Sequence, residues 1–374
     1  MRIAVIHDWL ITAGGSEKVL RELLYLLRNH DTELFTLMDF LSDEDRERFI
    51  FGKQSHTSFL QHIPGIKEKY KYFFPLFPRA IRSLKTEGFD VIISSSHSVA
   101  KSVQKHPGQI HISYCHTPMR YLWDMRQQYM SDYGLNKGWK RWIAKPLMQN
   151  IRNWDFVTSS DVDFFIANSK YIQIRIKNNY HRDSTVIYPP VNTDFFVPFD
   201  KKESYYVTAS RLVPYKRIDL IARAFSEMPD KKLIIIGDGP AWKEIKSFSA
   251  PNIEMIKYDT NEVLRYYLQR AKAFVFAAEE DFGITPVEAM ACATPVIAFG
   301  KGGVLETVQD ETTGIFFHHQ TVKSIVDAVY RFENQQSTFE PDKIRQQALK
   351  FNRQRFHEEM AAFLQKHAGI SCSL

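Results

Sequence analysis

Short apolar runs rich in β-branched and aromatic residues, each bounded by turn residues, alternate with stretches whose apolar residues recur at three and four. The chain completes this alternation twice. RIAVIH, TELFTL, DVIISSS, IHISYCH, DFFIANS and STVIYP are the strands predicted in the first half. The second half offers YYVTAS, KLIIIGDG, IEMIKY, AFVFAA, TPVIAF and GIFFHH. Helical patterns such as SEKVLRELLYLL and RIDLIARAFSEM lie between them. Strands that alternate with helices pair in parallel and are covered on both faces, so the pattern predicts an α/β protein with two doubly wound, Rossmann-like domains. A length of 374 residues suits two cores better than one.

The halves are separated by YPPVNTDFFVPFDKKES, Tyr188 to Ser204, where three prolines and a polar run interrupt any regular element, as expected of an interdomain linker. After Lys350, RQRFHEEMAAFLQKH has the pattern of an amphipathic terminal helix. Open parallel sheets bind ligands at the carboxyl ends of their strands, so two facing domains are expected to hold the site in the cleft between them.

Charge and cysteine content narrow the partners. The net charge of +6 is compatible with nucleic acid, an anionic membrane or a phosphate-bearing ligand. No RNP, KH or zinc-finger signature supports nucleic acid. Cys115, Cys292 and Cys372 have neither metal-ligand spacing nor a disulfide framework, which favours a reducing, cytoplasmic setting. MRIAVIHDWL is a poor signal peptide, and no run approaches the ~18 apolar residues of a spanning helix, so membrane contact is expected to be peripheral.

The signals for chemistry fall at predicted strand ends. In HDWLITAGGSEKVL, Gly14 and Gly15 precede a helix expected to begin near Ser16; backbone can approach a ligand there, although a plain turn accounts for the pair equally well. After YYVTAS, the segment SRLVPYKRIDL puts Arg211 and Lys216 on a loop and the first turn of a helix. Cations there oppose the helix dipole, a conflict that a bound anion resolves, whereas solvated surface charge is the simpler account. IIIGDGP carries Gly237 and Gly239 in a loop open to close approach by a ring, and Lys257 and Tyr258 end the next strand, placed to border a nucleobase. In EEDFGITPVEAMACATPVIAFGKGGV, Glu280 precedes a turn with Gly283 and Ile284, and Glu288 lies in the following helix. Thr285 and Glu288 form a Thr-x-x-Glu capping box on one view. On the other, turn and helix N–H groups from Gly283 to Thr285 cradle phosphate oxygens while each carboxylate serves one sugar ring.

In combination, the Glu280-x7-Glu288 pair, SRLVPYKR, GDGP and GGVLETV resemble the donor-binding domain of family GT4 retaining glycosyltransferases of the GT-B fold. HDWLITAGGSEKVL, SYCHTPMRYLWD and FFIANSKYIQIRIKNNYHRDSTVIYPPVNTDFF extend the likeness over nearly the whole chain and point to the WbaZ-like branch, which includes mannosyltransferases of polysaccharide assembly. The resemblance implies an acceptor-binding domain over residues 1–187, joined by 353–374 as a helix crossing back, and a donor-binding domain over 188–352. Arg211 and Lys216 match the pair that neutralises the donor diphosphate. Glu280 matches the carboxylate on the transferred sugar, assisted by backbone at Gly283 and Ile284, and Glu288 the one on the ribose. Gly14 and Gly15 match a glycine loop near the donor phosphates. His116, at the end of IHISYCH, matches a histidine that approaches the donor sugar; read from the residues alone, it is equally a loop histidine satisfied by backbone.

The implied donor is a nucleotide-sugar, GDP-mannose by branch likeness, with a UDP-sugar as the alternative. The implied acceptor is linked to a polyprenyl diphosphate. KEKYKYFFPLFPRAIRSLK and LNKGWKRWIAKPLMQNIRNW mix cations with aromatic residues and suit the inner face of an anionic cell membrane, or ordinary surface. No carboxylate is assignable as a nucleophile, which agrees with the same-face substitution thought to operate in the family. No metal or other cofactor is expected: Asp161-Val162-Asp163 mimics a DxD metal motif but falls in the half without donor signals. A nicotinamide oxidoreductase would need GxGxxG with an acidic residue about twenty positions on, and neither half supplies it. A non-catalytic sugar-nucleotide-binding protein and a GT-B epimerase remain as rivals.

Overall fold

The computed structural model describes residues 1–11, 14–124, 130, 137–248, 250–258 and 260–373. They form two compact units, one of Met1–Tyr188 with Phe356–Leu374 and one of Pro189–Arg355.

The first unit contains strands β1 (Arg2–His7), β2 (Asp31–Thr36), β3 (Ser55–Thr57), β4 (Val91–Ser96), β5 (Ile110–Cys115), β6 (Phe164–Ala167) and β7 (Ser184–Val186). They lie in the order β3-β2-β1-β4-β5-β6-β7, and every pair is parallel. Because successive side chains point to opposite faces, the central strands feed two cores. Ile3, Val5, Val91, Ile93, Ile112 and Tyr114 pack with Val19, Leu20, Leu23 and Leu24 of the helix Gly15–Leu26. Ala4, Ile6 and Ile92 pack with Phe77, Ala80, Ile81 and Leu84 on the other face. Burial on both faces is why these strands are legible as unbroken apolar runs. β3 was not predicted; it is three residues long, lies at the sheet edge and has no buried residue.

The terminal helix Arg353–Ala368 is amphipathic, as predicted, and returns to this unit. Phe356, Met360, Phe363 and Leu364 share one face and enter the core that holds β1, β4 and β5. At about 1.5–3 kcal/mol per fully buried side chain, they contribute on the order of 6–12 kcal/mol of transfer free energy before chain entropy is subtracted.

The second unit contains β8 (Tyr205–Ala209), β9 (Lys232–Ile236), β10 (Ile253–Ile256), β11 (Ala273–Phe276), β12 (Val296–Phe299) and β13 (Gly314–Phe317). Their order is β10-β9-β8-β11-β12-β13, again with every pair parallel. The helices Ile218–Ser226 and Val322–Asn334 pack on one another through faces that include Ile221, Phe225, Val329 and Phe332. Much of Tyr188–Ser204 is docked onto this unit instead of running free as a linker. Val191 N–H donates to the Phe351 carbonyl at 2.9 Å, and the carbonyls of Phe196 and Val197 accept from Arg345 and Gln269 at 3.1 and 2.7 Å.

In each sheet the strand order reverses beside the first strand, β1 or β8. At such a point the loops from two neighbouring strands leave in opposite directions and open a crevice at their carboxyl ends.

Candidate active site

In the second unit the reversal lies between β8 and β11. Lys216 ends a short 3-10 turn, Pro214–Lys216, and Arg217, at φ 55°, caps the helix Ile218–Ser226. Lys216 therefore precedes the helix and does not occupy its first turn as predicted. Glu280 follows β11, and strand adjacency brings it to Lys216: Nζ pairs with Glu280 Oε1, with side chains 19% and 17% exposed. Arg211 is exposed on the loop after β8.

Of the two readings of this stretch, the capping box is not the one formed. Gly283 adopts φ 85° and caps the helix Ile284–Ala291 with no side-chain hydrogen bond, so Thr285 is its second residue and not its cap. A left-handed turn that glycine takes without a Cβ penalty starts the helix earlier than the threonine would. Glu288 lies one turn into this helix at 2% exposure. The Glu280 loop is clamped by the glycines after β12. Gly303 N–H donates to the Glu280 carbonyl at 2.9 Å. A Cβ at Gly303 would lie 2.5 Å from Phe282 Cα, and Gly302 holds φ 84°. The backbone of the GGV segment accordingly sets where the Glu280 side chain stands.

At Gly237 and Gly239 the space a side chain would fill is taken by neighbouring backbone. The loop after β9 closes on the loop after β8: Leu212 N–H donates to the Asp238 carbonyl at 2.9 Å and Ala241 N–H to the Leu212 carbonyl at 3.1 Å. A Cβ at Gly237 would overlap the Ser210 carbonyl oxygen, and one at Gly239 would lie 2.5 Å from the Leu212 oxygen. Both glycines therefore fix the loop that carries Arg211. Lys257 and Tyr258 follow the edge strand β10, two strands from β8; Tyr258 is 44% exposed and its hydroxyl donates to Asn261 Oδ1 at 2.6 Å.

In the first unit the reversal lies between β1 and β4, and β5 follows. His116, after β5, is 8% exposed. Its backbone N–H donates to the Ser96 carbonyl at 2.8 Å, and its carbonyl accepts from Asn168 Nδ2 at 2.9 Å. The ring Nε2 is 2.9 Å from Ser95 Oγ, which is 3.2 Å from His7 Nδ1; His7 Nε2 is in turn 3.4 Å from Glu17 Oε1. Burial, followed by the charges of His97 and His7, holds the His116 imidazole well below its ordinary value, so its neutral form is favoured. Burial raises the Glu17 carboxyl, but the hydrogen bond with His7 and the charges of His7 and His97 reverse that and leave it below the usual range. Asp8, fully buried, accepts from the backbone N–H groups of His97, Ser98, Val99 and Ala100 at 2.6–2.9 Å and faces His97 Nδ1 at 3.1 Å.

Gly14 caps the helix Gly15–Leu26, and a Cβ there would stand 3.0 Å from Glu17 Oε2, so the glycine makes room for that carboxylate. Thr12 and Ala13 of the same loop lie outside the described residues. His7, Asp8, Glu17, Ser95 and His97 were not singled out in the sequence. His116 was singled out through the family resemblance; its position at a strand end is shared by His7-Asp8 and by Ser95-Ser96-His97, and that shared position is the signal that could have found them.

The Asp161–Asp163 tripeptide has structural partners. Asp163 accepts from Lys105 Nζ at 2.6 Å and from the His111 backbone at 2.7 Å. In KEKYKYFFPLFPRAIRSLK, Phe73, Phe74 and Phe77 join the unit core, which leaves Tyr72 as its prominent exposed ring at 74%. In LNKGWKRWIAKPLMQNIRNW, Leu135 and Asn136 lie outside the described residues, and Trp142 is 83% exposed. No described helix is long and apolar enough to cross a membrane.

Comparison with known proteins adds to this geometry. The profile Glycosyltransferase Family 4 matches residues 13–195, and Glycosyl transferases group 1 matches residues 192–352. A GDP-mannose-dependent alpha-(1-6)-phosphatidylinositol monomannoside mannosyltransferase of Mycolicibacterium smegmatis is 28% identical over 53% of this chain and 59% of its own. An uncharacterized glycosyltransferase of Methanocaldococcus jannaschii is 26% identical over 47% of this chain and 51% of its own. The chain thus spans about half the length of the curated relatives it matches. Among solved structures, Anabaena HepE in complex with UDP and glucose superposes with a TM-score of 0.73 at 15% identity, covering 97% of this chain and 99% of that one. Sucrose-phosphate synthase from Thermosynechococcus elongatus also gives 0.73, at 16% identity, covering 98% and 99%. With the two profiles running end to end across both parallel-sheet units, the chain belongs to the family 4 glycosyltransferases and has the GT-B fold.

Proposed function

We propose that the protein is a retaining glycosyltransferase of the WbaZ-like branch that moves mannose from GDP-mannose to a lipid-linked saccharide in surface polysaccharide or glycolipid assembly. The observation that carries this reading is the Lys216–Glu280 pair at the ends of adjacent strands, with the buried Glu288 one helical turn further on. Such a pair offers an ammonium to a diphosphate and releases a carboxylate to a sugar hydroxyl in the same exchange. Arg211 and Lys216 neutralise the diphosphate, Glu288 accepts from the ribose, and Gly283, Ile284 and Thr285 present backbone to the donor. Lys257 and Tyr258 border the base. His116 addresses the transferred sugar, and Gly14 and Gly15 the phosphates.

Transfer proceeds on one face of the sugar. The anomeric C–O bond to the diphosphate breaks while the bond to the acceptor oxygen forms, and the acceptor's proton passes to the leaving phosphate oxygen. The protein's contribution is to position both partners and to stabilise charge on the diphosphate. The first unit takes the acceptor and the second the donor. No metal takes part. Tyr72 and Trp142, beside Lys71 and Arg141, suit contact with anionic headgroups at the cytoplasmic face of the membrane, where a polyprenyl diphosphate carrier resides. The dependence of the M. smegmatis relative on GDP-mannose supports the donor. The alternative, a UDP-sugar, is favoured by the UDP bound to Anabaena HepE.

A thermal-shift panel with GDP, UDP, ADP and their sugars tests the assignment, since a ligand at ~100 times its Kd adds about 2.7 kcal/mol to the folded state. GDP and GDP-mannose are expected to give the largest shift, and mannosyl transfer is expected to continue in excess EDTA. A panel with no response would point to a protein that does not use a nucleotide-sugar. Flotation with anionic vesicles at low salt tests the membrane contact.

A further inference from the structure

We infer that Glu17, His7 and Ser95 form a positioning relay that decides which ring nitrogen of His116 carries the proton. The inference rests on the reading of His116 as a group that addresses the donor sugar. Its geometry stands apart from that reading.

All four groups are buried: His7 and Ser95 are 0% exposed, Glu17 4% and His116 8%. Their contacts run in series, from Glu17 Oε1 to His7 Nε2 at 3.4 Å, from His7 Nδ1 to Ser95 Oγ at 3.2 Å, and from Ser95 Oγ to His116 Nε2 at 2.9 Å. Donor and acceptor inventory then fixes the direction. An ionised Glu17 only accepts, so His7 Nε2 carries a proton. With one proton on the His7 ring, its Nδ1 keeps the lone pair and takes the one hydroxyl proton of Ser95. Ser95 Oγ is left as an acceptor, so His116 Nε2 carries a proton and Nδ1 keeps the lone pair. At rest His116 is a hydrogen-bond acceptor through Nδ1.

His116 Nδ1 is thereby presented as an acceptor to a sugar hydroxyl, while the acceptor's proton still passes to the leaving phosphate oxygen. The neighbouring groups leave the direction of the series to Glu17. The His97 ring centroid stands 6.3 Å from that of His116 and 6.0 Å from that of His7, with Asp8 as its partner. The Tyr114 ring, 5.1 Å from His116, adds no charge. Among these groups Glu17 is the carboxylate in contact with a histidine of the series. Sequence position conceals the arrangement: the four residues come from β1, the helix after it, β4 and the loop after β5.

Nitrogen-15 NMR of histidine-labelled protein without substrate is the test. Wild type is expected to show His116 as the Nε2-protonated tautomer. Ser95→Ala is expected to lose that preference, with both ring nitrogens giving averaged signals, and Ser95→Thr to restore it. Glu17→Gln, whose amide both donates and accepts, is expected to give mixed tautomers. A wild-type His116 protonated on Nδ1, or an unchanged His116 signature in both Ser95→Ala and Glu17→Gln, would overturn the relay. Turnover reads the other question: Ser95→Ala is expected to lower kcat by ~10-fold with KM within about twofold. A tautomer change with normal turnover would keep the relay and remove His116 from the reaction.

Discussion

Replacing Lys216 by alanine perturbs two charges at once, and the structure gives the size of each part. The ammonium is mostly withdrawn from water and pairs with Glu280. Losing one charge-assisted hydrogen bond to the diphosphate costs about 1.5–3 kcal/mol. Alanine also strips Glu280 of its counter-ion. A diphosphate charge held on the order of 8 Å from that carboxylate, at an effective dielectric near 20, is repelled by about 2 kcal/mol. Together these amount to about 3.5–5 kcal/mol, on the order of a 10³-fold loss of nucleoside-diphosphate affinity. The second part can be removed separately. In Lys216→Ala/Glu280→Gln the repulsion vanishes, so binding should recover about 30-fold over Lys216→Ala, although the sugar contact of Glu280 and hence turnover stay impaired. Isothermal titration with GDP and UDP measures both values, and the nucleosides without phosphate serve as controls that should not change. If Lys216→Ala binds within about threefold of wild type, or the double variant binds no better than the single one, the ammonium does not face the diphosphate and the reasoning fails.

Glu288→Gln should weaken a nucleoside diphosphate by about 1.5–3 kcal/mol while leaving inorganic pyrophosphate unaffected; equal losses in competition titrations would place Glu288 away from the ribose. Asp155, fully buried, holds Lys101 Nζ, Trp123 Nε1 and the Tyr180 hydroxyl, each at 2.8 Å. Asp155→Ala strands a buried ammonium and should cost about 3–5 kcal/mol in urea unfolding of the first unit, and a loss under about 1 kcal/mol would contradict that. Glu333 accepts from Lys231 and Lys272 at 2.6 Å and from the Tyr206 hydroxyl at 2.8 Å. Burial raises its carboxyl, but these donors bring it down to about 2 from 4.5. A carboxylate lowered on folding contributes stability above its unfolded value that is lost as pH falls toward the folded one. Glu333→Gln should therefore flatten the stability curve between about pH 4.5 and 2, and a curve as steep as that of wild type would exclude the cluster as its source.

What the sequence disclosed, and what it hid, follows from how far each structural cause reaches along the chain. Strands such as β1 and β9 are visible because burial on two faces demands an unbroken apolar run, and the terminal helix because Phe356, Met360, Phe363 and Leu364 repeat at helical spacing. The three-residue β3 leaves no such trace. The Thr285 capping box, one of the two readings open at that stretch, is sound as a local motif; what decides the helix start is the Gly283 turn, in a loop that the Gly302–Gly303 backbone clamps from another strand end. At Gly237 and Gly239 the backbone that comes close is the Ser210–Leu212 loop, which no local pattern could name. The site depends most on such distant causes. Lys216 and Glu280 meet because β8 neighbours β11, and His7, Ser95 and His116 meet because β1, β4 and β5 are consecutive in their sheet. Strand order is a property of the whole fold, set by which helices cover which faces. Lys216, Glu280 and His116 are therefore legible in the sequence while His7, Glu17 and Ser95 are not, and each group becomes a chemical unit only once its own sheet places those residues side by side.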